Sequence, residues 1–276
     1  MKHAVRNGTL IREEDAVLPV TRREVQSQFS IYETLKVKGG VPFFVEEHLQ
    51  RFFESARILE MEHPFSPDDI AGSIDTLVRE DGLEDAALRL ILVGGEDPFY
   101  IIFSYPLKKL SRKYYTGGID VITYPGERLI PRAKSTCLLL NYLAMREAER
   151  RGAMEALFVD RNGKVTEGTR SNFFAVEDGT LVTAEEDVLY GVTRKHILEI
   201  ASEQRVPIRY EKIGAGELTG GRYSELFISS TSIGAVPVAA VDRIPFPGKE
   251  TGFPVVELLN AELEKREKRE VENYSA

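Results

Sequence analysis

Cysteine is almost absent from this chain: Cys137 is the only one among 276 residues. A lone thiol excludes an intrachain disulfide framework and fits a reducing compartment. Long apolar runs are missing too. No stretch approaches the roughly 20 residues that cross a bilayer, and the opening MKHAVRNGTLIREED lacks the apolar core of a signal peptide. A soluble, cytoplasmic protein with no membrane partner is the expectation. Basic charge is in deficit, with 36 Lys and Arg against 44 Asp and Glu and a net charge of −8. A nucleic-acid partner therefore has little electrostatic support. Repeats and low-complexity segments are also lacking. What is present is ordinary globular composition, 42% hydrophobic and 29% charged, and length for one large or two modest domains.

Turn signals divide the first part of the chain. His3-Ala4-Val5 and Thr9-Leu10-Ile11 flank Asn7-Gly8 as a small hairpin. Thr21 to Gln28 reads as a polar helix capped by Thr21, with Glu24 at the capping-box position. Phe29 to Val37 alternates as a strand, and Lys38-Gly39-Gly40 turns the chain. A helix from about Glu46 to Glu60 carries Leu49, Phe52, Phe53, Ala56 and Leu59 on one face. Ser66-Pro67-Asp68-Asp69 opens the next helix with a cap, a proline and acids near its positive end. Ala87 to Val93 and Phe99 to Tyr105 read as paired strands. The basic, Pro-led run from Pro106 to Lys113 then reads as a connector. It divides the chain into a domain over 1–107, a linker over 108–118 and a second domain over 119–276.

The most informative stretch starts at Lys134. It follows RLIPRA, which cannot be ordinary helix interior, and precedes the small and apolar run Ser135 to Leu140. Desolvation there would favour the neutral amine, the nucleophile that Schiff-base chemistry needs. Position alone favours the plainer alternative of a solvated lysine with its stem packed over apolar neighbours. Leu138, Leu139, Tyr142, Leu143, Met145 and Ala148 then recur at helical spacing, and Gly152 ends the helix. Ala156 to Val159 is a strand, Arg161-Asn162-Gly163-Lys164 a hairpin turn, and Val165 begins the return. Glu167-Gly168-Thr169-Arg170-Ser171-Asn172 follows, just before the apolar Phe173 to Val176. A carboxylate between two apolar strands must be paired.

Three other stretches suit an anion. The helix from Glu46 carries His48, Arg51, Ser55 and Ala56, and a guanidinium matches phosphate by its planar fork. Gly191-Val192-Thr193-Arg194 opens a helix whose first N–H groups lack internal partners. The strand Glu225 to Ile228 ends in Ser229-Ser230-Thr231-Ser232, whose hydroxyls and amides are free for an anion. A solvated arginine, a plain capped helix and a polar turn are the plainer alternatives. The helix from Pro254 to Arg269 has a mostly charged later half that reads as a solvated face.

Taken together, K-x(several)-N-x-L-A-x-x-E-A-x-x-x-G-x-x-E-A-L and D-x-N-G-x-V-x-E-G-x-x-S-N-x-F resemble the fold-type IV pyridoxal-phosphate enzymes. That family includes branched-chain aminotransferases, D-amino-acid aminotransferases and aminodeoxychorismate lyases. The resemblance runs from about Tyr32 to Val238. It implies an α/β (α+β) fold of two domains, a small N-terminal one and a larger C-terminal one with mainly antiparallel sheets, and a homodimer. It also implies pyridoxal 5′-phosphate held as a Schiff base on Lys134, with Glu167 on the pyridine nitrogen. Arg51, Val192, Thr193, Ser230 and Thr231 would bind the phosphate, and Tyr32, Thr231 and Ser232 the substrate. The implied activity is transfer of an amino group between an amino acid, branched-chain-like, and a 2-oxo acid. The alternatives are 4-amino-4-deoxychorismate lyase, which releases pyruvate, and a catalytically idle binding protein. Three departures bear on the substrate. Val25 to Gln28 replaces the family's Gly-Asp-Gly turn, Gly234 stands where Glu is usual, and Gly94-Gly95 replaces the arginine with which D-amino-acid aminotransferases hold the substrate carboxylate.

Overall fold

A computed structural model describes residues 2–274 of the chain. Its elements run β1 (His3–Arg6), β2 (Thr9–Arg12), α1 (Arg23–Gln26), β3 (Ser30–Lys38), β4 (Val41–Pro42), α2 (Val45–Ile58), α3 (Pro67–Glu80), β5 (Asp85–Val93) and β6 (Phe99–Pro106). They continue α4 (Lys113–Gly117), β7 (Ile119–Pro125), α5 (Leu139–Arg150), β8 (Glu155–Val159), β9 (Lys164–Gly168), β10 (Asn172–Glu177), β11 (Thr180–Thr183) and α6 (Val192–Glu203). The last are β12 (Ile208–Tyr210), β13 (Ile213–Gly214), β14 (Glu225–Ser230), β15 (Gly234–Val241), β16 (Ile244–Pro245) and α7 (Pro254–Tyr274).

Two compact units result. The first is Met1–Lys108 with Arg132–Cys137 and Glu267–Ala276, and the second is Lys109–Pro131 with Leu138–Arg266. The segment that carries Lys134 and the end of the last helix thus group with the first unit, although they lie within 119–276.

In the first unit a six-stranded sheet has the order β2-β1-β6-β5-β3-β4, antiparallel throughout. Asn7 and Gly8 both take positive φ, as the hairpin turn requires. One face of the sheet buries Ile31, Leu35, Leu88, Leu90 and Ile102 with Leu49 and Phe52 of α2 and Ile70, Ile74 and Leu77 of α3. Ser66 caps α3 as expected, and Asp69 bonds back to it to complete a capping box. The helix expected over 21–28 shrinks to four residues. Arg22 precedes it, not Thr21, and no side chain caps it.

In the second unit the strand order is β12-β11-β10-β14-β15-β7-β8-β9-β13, with β16 on β15 and a further pairing of β10 with β9. That extra pairing closes β10, β14, β15, β7, β8 and β9 into a ring, and its register pair is Asn172 opposite Glu167. Most pairings are antiparallel, while β7–β8, β7–β15 and β11–β12 are parallel. The core centres on Phe174 and Phe227, stacked with ring centroids 4.7 Å apart.

Two expectations about helix faces fail. On α5 the buried positions are Asn141, Ala144 and Ala148, and Leu139, Tyr142 and Leu143 are 64%, 62% and 41% exposed. The small residues, not the large apolar ones, face the protein. The charged end of α7 is not purely solvated either. Glu267 pairs with Lys36, and Glu270 accepts from the Phe44 N–H, both within the first unit. Arg266 reaches Glu199 and Glu203 in the second.

Candidate active site

In the first unit the backbone of Lys134 is pinned on both sides. Its carbonyl accepts from the Tyr32 N–H at 2.9 Å and its N–H donates to Ser55 Oγ at 3.0 Å. The Thr136 N–H donates to the Ser30 carbonyl at 2.9 Å, and Ser135 bridges to Ile31. The segment thus lies along β3 as a short extra edge, which is why 132–137 groups with this unit. The Lys134 side chain is half-buried, with Nζ 4.7 Å from the centre of the Tyr32 ring. The Arg89 guanidinium lies 4.3 Å from the same centre. Lys134 and Tyr32 are therefore brought together as expected, with a second cation against the ring. Arg89 was missed, although a lone charge inside the apolar run Ala87 to Val93 is itself a signal.

Arg51 gives one edge of its fork to Glu33. Nε and Nη2 donate to the two carboxylate oxygens at 2.7 Å each. Glu33 is fully buried and also accepts from His48 Nδ1 at 2.8 Å. Burial alone would raise the Glu33 carboxyl, but the charge of Arg51, with His48 next, outweighs it and holds the group well below the usual carboxylate range. His48 is lowered, by burial first, against the pull of Glu33. Its bond to the carboxylate fixes the Nδ1–H tautomer, and among the described residues Nε2 has no hydrogen-bond partner. Neither Glu33 nor the structural part of His48 is visible as a pair from spacing, because they sit on different elements.

In the second unit Glu167, 4% exposed, stands at the seam of the ring. Its Oε2 accepts from the Leu189 N–H at 2.9 Å and its Oε1 from Arg128 Nη1 at 3.2 Å. Arg128 also donates to the Pro131 carbonyl at 2.8 Å. The expected pairing of this carboxylate is thus met in part within the protein, by an arginine that the sequence did not mark. Asn172, across the seam, donates from Nδ2 to the Leu189 carbonyl at 2.7 Å. Leu189 is gripped at both ends of its peptide, by Glu167 and by Asn172.

Two residues on, Gly191 caps α6 with no side-chain hydrogen bond and no acid in the first turn. A Cβ at Gly191 would lie 2.2 Å from Asn172 Oδ1, so only glycine lets Asn172 reach past it. The first-turn N–H groups, Val192 and Thr193 included, are oriented for an anion. Arg194, 6% exposed, donates to the Ala184 carbonyl at 2.8 Å.

Ser230 ends β14, and Thr231 and Ser232 form the half-buried turn into β15. The turn is held by the Tyr115 hydroxyl, which donates to the Ile233 carbonyl at 2.9 Å. Asn260 of α7 bonds both the N–H and the carbonyl of Ala235, at 3.0 and 2.7 Å. Gly234 takes φ of +64°, and a Cβ there would press on Asn260 Oδ1 at 3.1 Å, which accounts for glycine where glutamate is usual. Ser229 Oγ, next to Ser230, is buried and has no hydrogen-bond partner among the described residues.

Comparison with known proteins places the chain in a family. The family model for amino-transferase class IV matches residues 30–241. The chain is 28% identical over 264 residues to a putative branched-chain-amino-acid aminotransferase of Methanocaldococcus jannaschii, covering 89% of this chain and 90% of that one. It is 30% identical over 262 residues to the branched-chain-amino-acid aminotransferase of Escherichia coli K12, covering 86% and 84%. A D-alanine aminotransferase of Listeria monocytogenes is 28% identical over 254 residues, covering 86% and 87%. Among solved structures, the branched-chain amino acid aminotransferase of Escherichia coli superposes with a TM-score of 0.85 at 26% identity, covering 94% of this chain and 92% of that one. A branched-chain amino acid aminotransferase solved with pyridoxamine 5′-phosphate superposes with a TM-score of 0.86, again at 26% identity, covering 96% and 94%.

Proposed function

The chain belongs to the amino-transferase class IV family and is an aminotransferase, and we propose that it moves the amino group of a branched-chain-like amino acid to a 2-oxo acid, with pyridoxal 5′-phosphate bound as cofactor. The observation that carries this reading is the grip on Leu189. It joins a buried carboxylate, Glu167, to an uncapped helix start at Gly191 through one short segment. A flat cofactor with a basic ring nitrogen at one end and a phosphate at the other suits that pairing of groups.

The residues fit the cofactor. The Val192 and Thr193 amides and the Ser230–Thr231 turn would hold its phosphate, with Arg51 adding charge from a fork that Glu33 orients. Glu167 would hold the proton on the ring nitrogen, and Lys134 would carry the cofactor between turnovers. When bound, pyridoxal phosphate supplies an electron sink for charge that develops at the substrate α-carbon. Lys134 Nζ would take the proton from that carbon as general base and give it back as general acid. Arg128 holds Glu167 Oε1 in place with a charged hydrogen bond. Tyr32, Thr231 and Ser232 would line the substrate, with Arg89 beside Tyr32 as a further carboxylate partner.

We read the assembly as a homodimer. The exposed Leu139, Tyr142 and Leu143 on one side of α5 form an apolar strip that a second copy would cover. Among the described residues no helix is long and apolar enough to cross a membrane, and the exposed, unpaired Cys137 fits the cytoplasm.

The test is a screen of amino donors, both enantiomers of each, with 2-oxoglutarate and with pyruvate as acceptors. We expect a new amino acid to form from the acceptor, fastest with L-valine, L-leucine or L-isoleucine. Preference for D-alanine would move the substrate reading to the other class of relatives. Pyruvate release from aminodeoxychorismate without any acceptor would overturn transamination.

A further inference from the structure

Glu155 is a buried carboxylate that the chemistry above leaves unused. It opens β8 and is 4% exposed. Its Oε1 accepts from the Thr169 N–H at 3.1 Å, the Thr169 hydroxyl at 2.5 Å and the Ala156 N–H at 3.0 Å. Its Oε2 accepts from the Ser171 hydroxyl at 3.0 Å. Every one of these donors is neutral. Thr169 and Ser171 belong to the turn that joins β9 to β10, the turn that begins one residue after Glu167.

The same turn is held at other points. The Gly168 N–H donates to the Ser171 carbonyl at 2.8 Å and the Thr169 N–H to the Ala156 carbonyl at 3.0 Å. Asn141 of α5 donates from Nδ2 to the Thr169 carbonyl at 2.6 Å. Gly168 lies so close that a Cβ on it would stand 2.2 Å from Ser171 Oγ and 3.2 Å from the Glu155 carboxyl. A buried carboxylate with no cation beside it is costly, and an apolar side chain would fill the volume with less penalty. What it supplies is geometry: one planar group with two acceptors fixes two hydroxyls and two amides at once.

We propose that Glu155 is a positioning residue, which sets the 168–171 turn so that Glu167 meets the cofactor ring nitrogen in register. This rests on the reading of Glu167 given above. The role is geometric, so charge at 155 is dispensable. In Glu155→Gln the amide oxygen still accepts from Thr169, and the Ser171 hydroxyl rotates to accept from the amide nitrogen. Glu155→Ala removes every acceptor.

The experiment places Glu155→Gln, Glu155→Ala and the pair Thr169→Val with Ser171→Ala in two backgrounds, native and Glu167→Gln. The readouts are pyridoxal phosphate affinity by titration of the apoprotein, the pH dependence of the bound cofactor's absorbance, and the rate of α-proton exchange. Glu155→Gln should stay near native in all three. Glu155→Ala should slow exchange by about 10- to 100-fold, the range for loss of an outer-shell partner, and should displace the absorbance midpoint. The Thr169/Ser171 pair should do the same more weakly. In the Glu167→Gln background these losses should nearly vanish, since coupled residues do not add. Equal losses in both backgrounds would reduce Glu155 to a structural residue and overturn the proposal. If Glu155→Ala does not fold, the Thr169/Ser171 pair decides by the same comparison. Unaltered exchange in Glu167→Gln alone would overturn the role of Glu167 itself, an outcome distinct from a Glu155 effect that is merely additive.

Discussion

Replacing Glu33 by glutamine tests the charge network that holds Arg51. The carboxylate is 0% exposed and its arginine partner 11%, so solvent screens the pair little. Glutamine keeps the size of the side chain and one acceptor, but it leaves the Arg51 fork with one good bond and a charge without its counterion. Breaking one side of a buried pair costs about 3–5 kcal/mol, a large share of the roughly 5–15 kcal/mol that holds a folded protein. At about 2–4 °C per kcal/mol for domains of this order, the apoprotein should melt roughly 6–20 °C lower. The pH dependence has a definite sign. Because Arg51 and His48 hold the folded carboxyl below its unfolded value, against burial, the folded state binds fewer protons. The stabilisation is complete above the unfolded pKa of about 4.3 and is lost as the pH falls from there toward the folded pKa. Native protein should therefore lose stability steeply below about pH 4.3, and Glu33→Gln should lose less over the same window. The chain has no tryptophan, so urea melts should be followed by far-UV circular dichroism at several pH values. A loss under about 1 kcal/mol, well below the range for a broken buried pair, with an unchanged pH profile, would refute the view that Glu33 anchors Arg51.

Lys134→Ala should abolish turnover, and borohydride treatment of the native holoenzyme should label Lys134; label on another lysine, found by peptide mass mapping, would move the assignment. Glu167→Gln should leave the cofactor bound but slow α-proton exchange by orders of magnitude, because the lost charge acts more strongly in the transition state than in the ground state. Single-turnover exchange at near-native rate and full occupancy would remove Glu167 from the chemistry. Gly191→Ala puts a methyl 2.2 Å from Asn172 Oδ1. It should displace Asn172 from Leu189 and weaken pyridoxal phosphate binding at least tenfold, about 1.4 kcal/mol. An unchanged dissociation constant would count against the helix start as the phosphate site.

Local signals carried most of the architecture. The Asn7-Gly8 hairpin, the Ser66 capping box, the paired β5 and β6 and the helix start at Gly191 each announce themselves within a few residues. The failures share a cause. Thr21 looked like a cap, yet the chain reaches helical geometry only at Arg23. Periodicity on α5 grouped Leu139, Tyr142 and Leu143 with Ala148, but periodicity identifies a stripe and not what covers it. The strand ring buries the alanine side, and the larger residues stay outside.

The buried carboxylates show where sequence reasoning stops. Glu33, Glu155, Glu167 and Glu225 are all nearly inaccessible, and each sits on a strand. Around them the chain reads Tyr-Glu-Thr, Met-Glu-Ala, Thr-Glu-Gly and Ser-Glu-Leu, with nothing local to rank them. Their partners rank them. Glu33 meets a guanidinium and falls in pKa. Glu225 accepts two amides at the start of α7, from Val255 and Val256, yet burial dominates and its pKa rises. Glu155 holds neutral donors of a turn. Glu167 alone faces an arginine and the segment that leads to an uncapped helix. Those partners lie between 14 and 39 residues away along the chain. Only the folded strands bring them together, and spacing along one element cannot report them. A long motif singled out Glu167, whereas the other three became distinct only through what they touch.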